Sequence, residues 1–139
     1  MRRMDDDTHP DQHPDHVLGR AGERAAGRWL TRRGWNILAT GWRGAGGEID
    51  IVAERRGVLA ACEVKTRRRF DPHMPPVRPT QRDRLARAAL AFVGRHPAYA
   101  AHAIRPDLIV VVPRGIGWDI TRIEDISPDA YGKRRGSSP

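Results

Sequence analysis

Apolar residues recur along the chain with two different periods, and the change of period marks its elements. Leu18, Ala21, Gly22, Ala25, Ala26, Trp29 and Leu30 form one stripe at helical spacing, which predicts a helix over 18–33 with Gly34 as its C-terminal cap. Trp35–Ala39 reads as a strand, and the glycine-rich stretch 42–47 reads as a flexible loop. Glu48–Glu54 alternates apolar and polar residues at period two, Arg55-Arg56-Gly57 is a turn, and Val58–Arg67 is the returning strand. Prolines 72, 75, 76 and 79 exclude regular structure across 69–79. A second helix follows, with Thr80 as N-cap, Asp83 three residues on, and a buried stripe of Leu85, Ala88, Ala89 and Phe92. Gly94 and Pro97 stop it. Asp107–Val112 is a continuous apolar run, as in a strand covered on both faces, and 118–123 is a last strand. The order α-β-β-β-α-β-β defines an α/β protein: one mixed β-sheet flanked by helices.

The ends behave differently. Residues 1–16 are polar and contain His9, His13 and His16 with two prolines, and they read as a disordered acidic tail. Residues 132–139 read as a disordered basic tail, which leaves 17–131 as the folded domain. No run approaches the roughly 18 apolar residues of a membrane span, so no membrane association is expected. The single cysteine, Cys62, excludes an internal disulfide and points to a reducing, cytoplasmic setting.

Charge narrows the classes of partner. The 139 residues hold 25 Lys+Arg against 17 Asp+Glu, for a net charge of +8. Arg2 and Arg3 face Asp5, Asp6, Asp7, Asp11 and Asp15, so the first 16 residues are acidic and the excess of positive charge lies in the domain. A compact basic domain suits a polyanion. Only Lys65 and Lys133 are lysines, and arginine favours bidentate contact with phosphate.

The hairpin of strands 48–54 and 58–67 carries the candidate chemistry. Pairing Ile49 with Val64, Ile51 with Cys62 and Ala53 with Ala60 makes every pair on one face apolar, whereas a slip of one residue sets Ile49 against Glu63. Burial of several apolar side chains, each worth about 1.5–3 kcal/mol, selects the first register. Asp50 then stands opposite Glu63 on the other face, with Lys65 two residues along. Directly opposed like charges destabilise a sheet. A divalent cation between the carboxylates would resolve the conflict, with Mg²⁺ suited to such oxygen ligands. A plain amphipathic hairpin with a solvated polar face has the same pattern.

Asp50 followed by Glu63-Val64-Lys65 resembles the D…(D/E)xK signature of the PD-(D/E)xK nuclease superfamily. Ile49 stands where the superfamily's short motif has proline. The wider set, Gly22-Glu23-Arg24-Ala25-Ala26, Gly34-Trp35, Trp42-Arg43, Gly47 to Ala53 and Glu63 to Arg67, is similar to the YraN family. These are small bacterial proteins related to Holliday-junction resolvases, and the likeness spans about residues 17–126. The resemblance implies a restriction-endonuclease-like fold and a metal-dependent DNA endonuclease using Mg²⁺ or Mn²⁺. It implies Asp50 and Glu63 as metal ligands, with the Val64 carbonyl and Glu23 as further ones. Lys65 would be catalytic, and Gln81 would take the polar place at the start of the second helix. DNA is the expected partner, and a homodimer is left open.

Other features add to this picture or drop out. Arg67, Arg68 and Arg69 continue the catalytic strand and could hold phosphates, as could Arg43 beside Trp42. Arg82, Arg84, Arg87 and Arg95 extend the basic character onto the second helix. Gly44-Ala45-Gly46-Gly47 lacks the following Lys-Ser or Lys-Thr of a P-loop. Cys62 falls on the apolar face and reads as core. The rival reading is a non-catalytic basic module that binds nucleic acid or a partner protein.

Overall fold

The computed structural model describes residues 14–71, 73, 77–124 and 126. Of the tails expected at 1–16 and 132–139, residues 1–13 and 132–139 lie outside the described residues, as does the end of the domain at 127–131. The elements are helix α1 (Pro14–Arg32), strands β1 (Asn36–Gly44), β2 (Gly47–Arg55) and β3 (Val58–Thr66), helix α2 (Pro79–Arg95), and strands β4 (Ala103–Arg114) and β5 (Gly117–Ile123). They form the expected mixed sheet, ordered β1-β2-β3-β4-β5, antiparallel except for the β3–β4 pair. A parallel pair needs a crossover, and α2 supplies it.

The helices cover opposite faces. Ala25, Ala26 and Leu30 of α1 pack on Ile51, Ala53, Ala60, Cys62, Val64, Ile109 and Val111. Leu85, Ala88, Ala89 and Phe92 of α2 pack on Ile49, Val52, Leu59, Ala61, Leu108 and Val110. The alternation of Leu108 to Val111 between the two cores is the two-sided burial expected of β4.

Several boundaries differ from those read in the sequence. Helix α1 begins at Pro14, so residues 14–16 are helical rather than tail. Proline suits a first helical turn because its missing N–H has no intrahelical partner there, and Asp15 complements the helix dipole. Residues 42–47 are not a flexible loop: β1 and β2 run through them to a two-residue turn, with Gly44 paired to Gly47. Ala45 and Gly46 both have positive φ, 51° and 76°, which matches the twist of a tight hairpin. Helix α2 is capped at Arg78, not Thr80, with Pro79 at its first position.

The β2–β3 register matches expectation where the strands pair. Ile51 faces Cys62, Val52 faces Ala61 and Ala53 faces Ala60. The pairing stops after Ile51. Ile49 does not join Ile51, Cys62 and Val64 on the α1 side but lies in the core beneath α2, paired with Trp42 of β1. The strand changes face at Asp50. On β1, Gly41 lies between the pairs Thr40–Ile51 and Trp42–Ile49 and takes φ 60°, which lets β1 follow the same bend.

Candidate functional site

The bend opens a gap between β2 and β3, and Asp50 fills it. The Val64 amide donates to the Asp50 carboxylate at 2.8 Å instead of to a backbone carbonyl of β2. In a strand the N–H and C=O of one residue face the same side, so the Val64 carbonyl faces this gap as well. Burial pushes the Asp50 carboxyl up to about 7, and the charge of Glu63 adds to the rise. The Val64 amide opposes it, while Glu23 and Glu48 push in the same direction as Glu63.

Glu23 comes from α1. Its carboxyl is also raised, first by burial and then by Glu48 and Glu63, with the Arg20 charge opposing. Gly22 sets this approach: a Cβ there would lie 2.0 Å from the Thr66 hydroxyl oxygen, so only glycine lets α1 settle against the end of β3. Four acids from α1, β2 and β3 therefore act on one another. Glu48 is the member that the motif comparison missed. Its signal was its place two residues before Asp50 on an alternating strand.

Lys65 Nζ lies 2.9 Å from Glu63 Oε1, and each side chain is 21% exposed. The ammonium thus neutralises one acid of the four and stays open to solvent. Asp107 shows how the fold treats a structural acid. It is fully buried and held by Arg105 at 2.9 and 3.0 Å. Asp50 instead has a single amide and a surround of like charge.

The remaining site residues divide. Arg67 and Arg68 border a cleft of about 470 Å³ that also takes in Glu23, Val64 and Lys65, so they stand beside Glu23, and Arg68 lies 4.0 Å from Asp15. Arg69 is exposed on the segment that follows. Arg43 is 81% exposed and pairs with Glu48 at 3.7 Å across the β1–β2 ladder. Gln81 serves the start of α2, its side-chain oxygen accepting the Arg78 amide at 3.4 Å. Cys62 is buried in the core, and burial raises its thiol well above the ordinary range, so it is no nucleophile.

The donor set is all oxygen, which fits a hard divalent cation held by Asp50 and Glu63 with the Val64 carbonyl. Among the described residues no three His, Cys, Asp or Glu side chains are drawn close enough to enclose an ion. Two carboxylates are the number Mg²⁺ commonly takes from protein when water and phosphate complete its shell.

Fold and site together define an α/β protein with an acidic, lysine-bearing centre at a split in its sheet. The chain belongs to the uncharacterised protein family UPF0102, whose model matches residues 22–111, and this is the YraN family to which its motifs pointed. It is 41% identical to a UPF0102 protein of Paramagnetospirillum magneticum over 117 residues, covering 81% of this chain and 85% of the relative. A UPF0102 protein of Streptomyces griseus is 44% identical over 101 residues, covering 70% and 85%. One from Rhodopseudomonas palustris is 33% identical over 135 residues, covering 92% and 100%. Among the described residues no helix is long and apolar enough to cross a membrane.

Proposed function

We propose that the protein is a metal-dependent endonuclease that hydrolyses phosphodiester bonds, with DNA as substrate. The observation that supports this most is Asp50. It is half-buried, crowded by Glu63, Glu23 and Glu48, and anchored by the Val64 amide in a gap between two strands. A fold that neutralises Asp107 with arginine leaves this acid among other acids, which costs stability unless a cation binds. Asp50 and Glu63 would hold Mg²⁺ or Mn²⁺, which would supply Lewis acidity toward a phosphate oxygen and an attacking water.

The chain's own groups do the rest. Lys65 can donate from Nζ to the charge that develops on phosphate, and its pairing with Glu63 keeps it beside the reacting centre. Arg67 and Arg68 border the adjoining cleft and Arg69 extends the run, so all three can hold the flanking backbone. Glu23, whose carboxyl feels the same acids, would act on the cation through a water. The buried, lone Cys62 suits the reducing interior of a cell.

The test is cleavage of branched, flapped, single-stranded and duplex DNA, with Mg²⁺ or Mn²⁺ and with chelator. Cleavage that needs metal and disappears in Asp50→Ala is the expected result. Binding of every DNA without cleavage of any would replace the enzyme with a basic binding module.

A further inference from the structure

We infer that the outer face of α1 is a track for one strand of a nucleic-acid backbone, along the row Arg20, Arg24, Arg28 and Arg32. The inner face of this helix is spent on packing through Gly22, Ala25, Ala26 and Leu30. On the outer face every fourth residue from 20 to 32 is arginine, and all four are exposed. Like charges at this spacing repel along a helix, so the row works against the helix that carries it.

The surface between the arginines is shaped as well as charged. Arg24, Arg28 and Arg32 border a groove of about 410 Å³ floored by Gly27 and Thr31. A Cβ at Gly27 would meet nothing within 4 Å, so packing does not require glycine there, and alanine is the better helix former. The Thr31 hydroxyl donates to the Gly27 carbonyl at 2.9 Å, which turns it onto the helix. The floor is therefore bare of long side chains.

Four residues of helix rise about 6 Å, close to the separation of adjacent phosphates on one strand. A guanidinium fork takes two phosphate oxygens at once. The row begins beside Glu23, which lies three residues after Arg20 on α1 and so neighbours it on the helix surface. A backbone on the row thus leads toward Asp50 from a direction different from that of Arg67–Arg69. A membrane surface suits the row less well, because the groove offers glycine and threonine where an interfacial helix presents large apolar residues.

The inference rests on the nucleic-acid half of the proposed function and not on cleavage. It is tested by anisotropy of a short labelled DNA duplex across a salt series, with chelator present throughout. Replacing Arg24, Arg28 and Arg32 together by glutamine should lower the slope of log K against log salt by about 2–3 and weaken binding at least about tenfold near 0.1 M salt. Gly27→Glu, which keeps every arginine, should weaken binding several-fold. A thermal midpoint at or above wild type shows the variants folded. A wild-type slope in the triple variant overturns the inference. So does tighter wild-type binding to phosphatidylserine vesicles or polyglutamate than to DNA, lost in the same variant. If binding depends on Arg67, Arg68 and Arg69 alone, the track is rejected and the proposed function stands. If the wild type binds no DNA, both fail.

Discussion

The Val64 amide and the Asp50 carboxylate, 2.8 Å apart, stand where the ladder between β2 and β3 should have continued. One side chain replaces a rung of backbone pairing. The substitution fixes an acid in the gap that it creates, so the bend in the sheet and the placing of the carboxylate are one event.

The burial of Asp50 sets a pH dependence of stability. Its folded value of about 7 lies above the ordinary carboxylate value of about 3.9 in the unfolded chain. Between these limits the folded state keeps a proton that the unfolded chain releases. The contribution is full below about pH 4, declines as pH rises to about 7, and then levels off, with a slope of at most about 1.4 kcal/mol per pH unit. Urea unfolding at a series of pH values should show this decline in wild type and a flatter profile in Asp50→Asn. The same slope in both would assign the titration to another group.

Asparagine at position 50 can still accept the Val64 amide while removing a charge. Asp50→Asn should therefore be at least as stable as wild type at pH 8 without metal. Wild type should gain about 2.7 kcal/mol from Mg²⁺ or Mn²⁺ at roughly one hundred times Kd, and the variant little. Thermal unfolding with and without metal measures both, and equal gains would remove Asp50 from the ligand set.

Gly22→Ala should destabilise by about 1–3 kcal/mol, because the new methyl would overlap Thr66 and push α1 away from β3. Adding Thr66→Ala should recover much of the loss, a coupling visible in a double-mutant cycle by denaturant unfolding. Additive losses would show that Gly22 acts through helix propensity alone.

Gln81 separates a structural from a catalytic role. Glutamate can also accept the Arg78 amide and favours a helix N-terminus, so Gln81→Glu should match wild-type stability, while Gln81→Ala should lose about 0.5–1 kcal/mol. If the residue only caps α2, neither change should alter the rate of DNA cleavage per folded molecule. A rate lost in both variants would return Gln81 to the reacting centre.

The elements and their order were legible because each has a clean period: 3.6 in α1 and α2, two in β2, and an unbroken apolar run in β4. The register was legible from the apolar matches Ile51–Cys62 and Ala53–Ala60. The position of Ile49 was not, because alternation assumes an unbroken strand and β2 bends at Asp50. Gly41 inside β1 was the available sign, since glycine in a strand often marks such a bend. The glycines at 44–47 looked flexible because composition alone does not separate a tight two-residue turn from an open loop. Glu48 was missed because the short motif counts one acid on this strand, while the fold brings a second into range.

The four acids of the site lie within residues 23–63, on the first helix and the first hairpins. The β3–β4 pairing that completes the sheet joins strands separated by all of α2. Closing a shorter loop costs less entropy, so the carboxylates are expected to meet before β4 joins the sheet, an order that refolding kinetics of wild type and Asp50→Asn would test. Their repulsion would then fall on the barrier to folding as well as on the finished structure. Protons or a divalent cation present during refolding should speed the early step, so the same atoms proposed to cut a phosphodiester would also time the assembly of the chain.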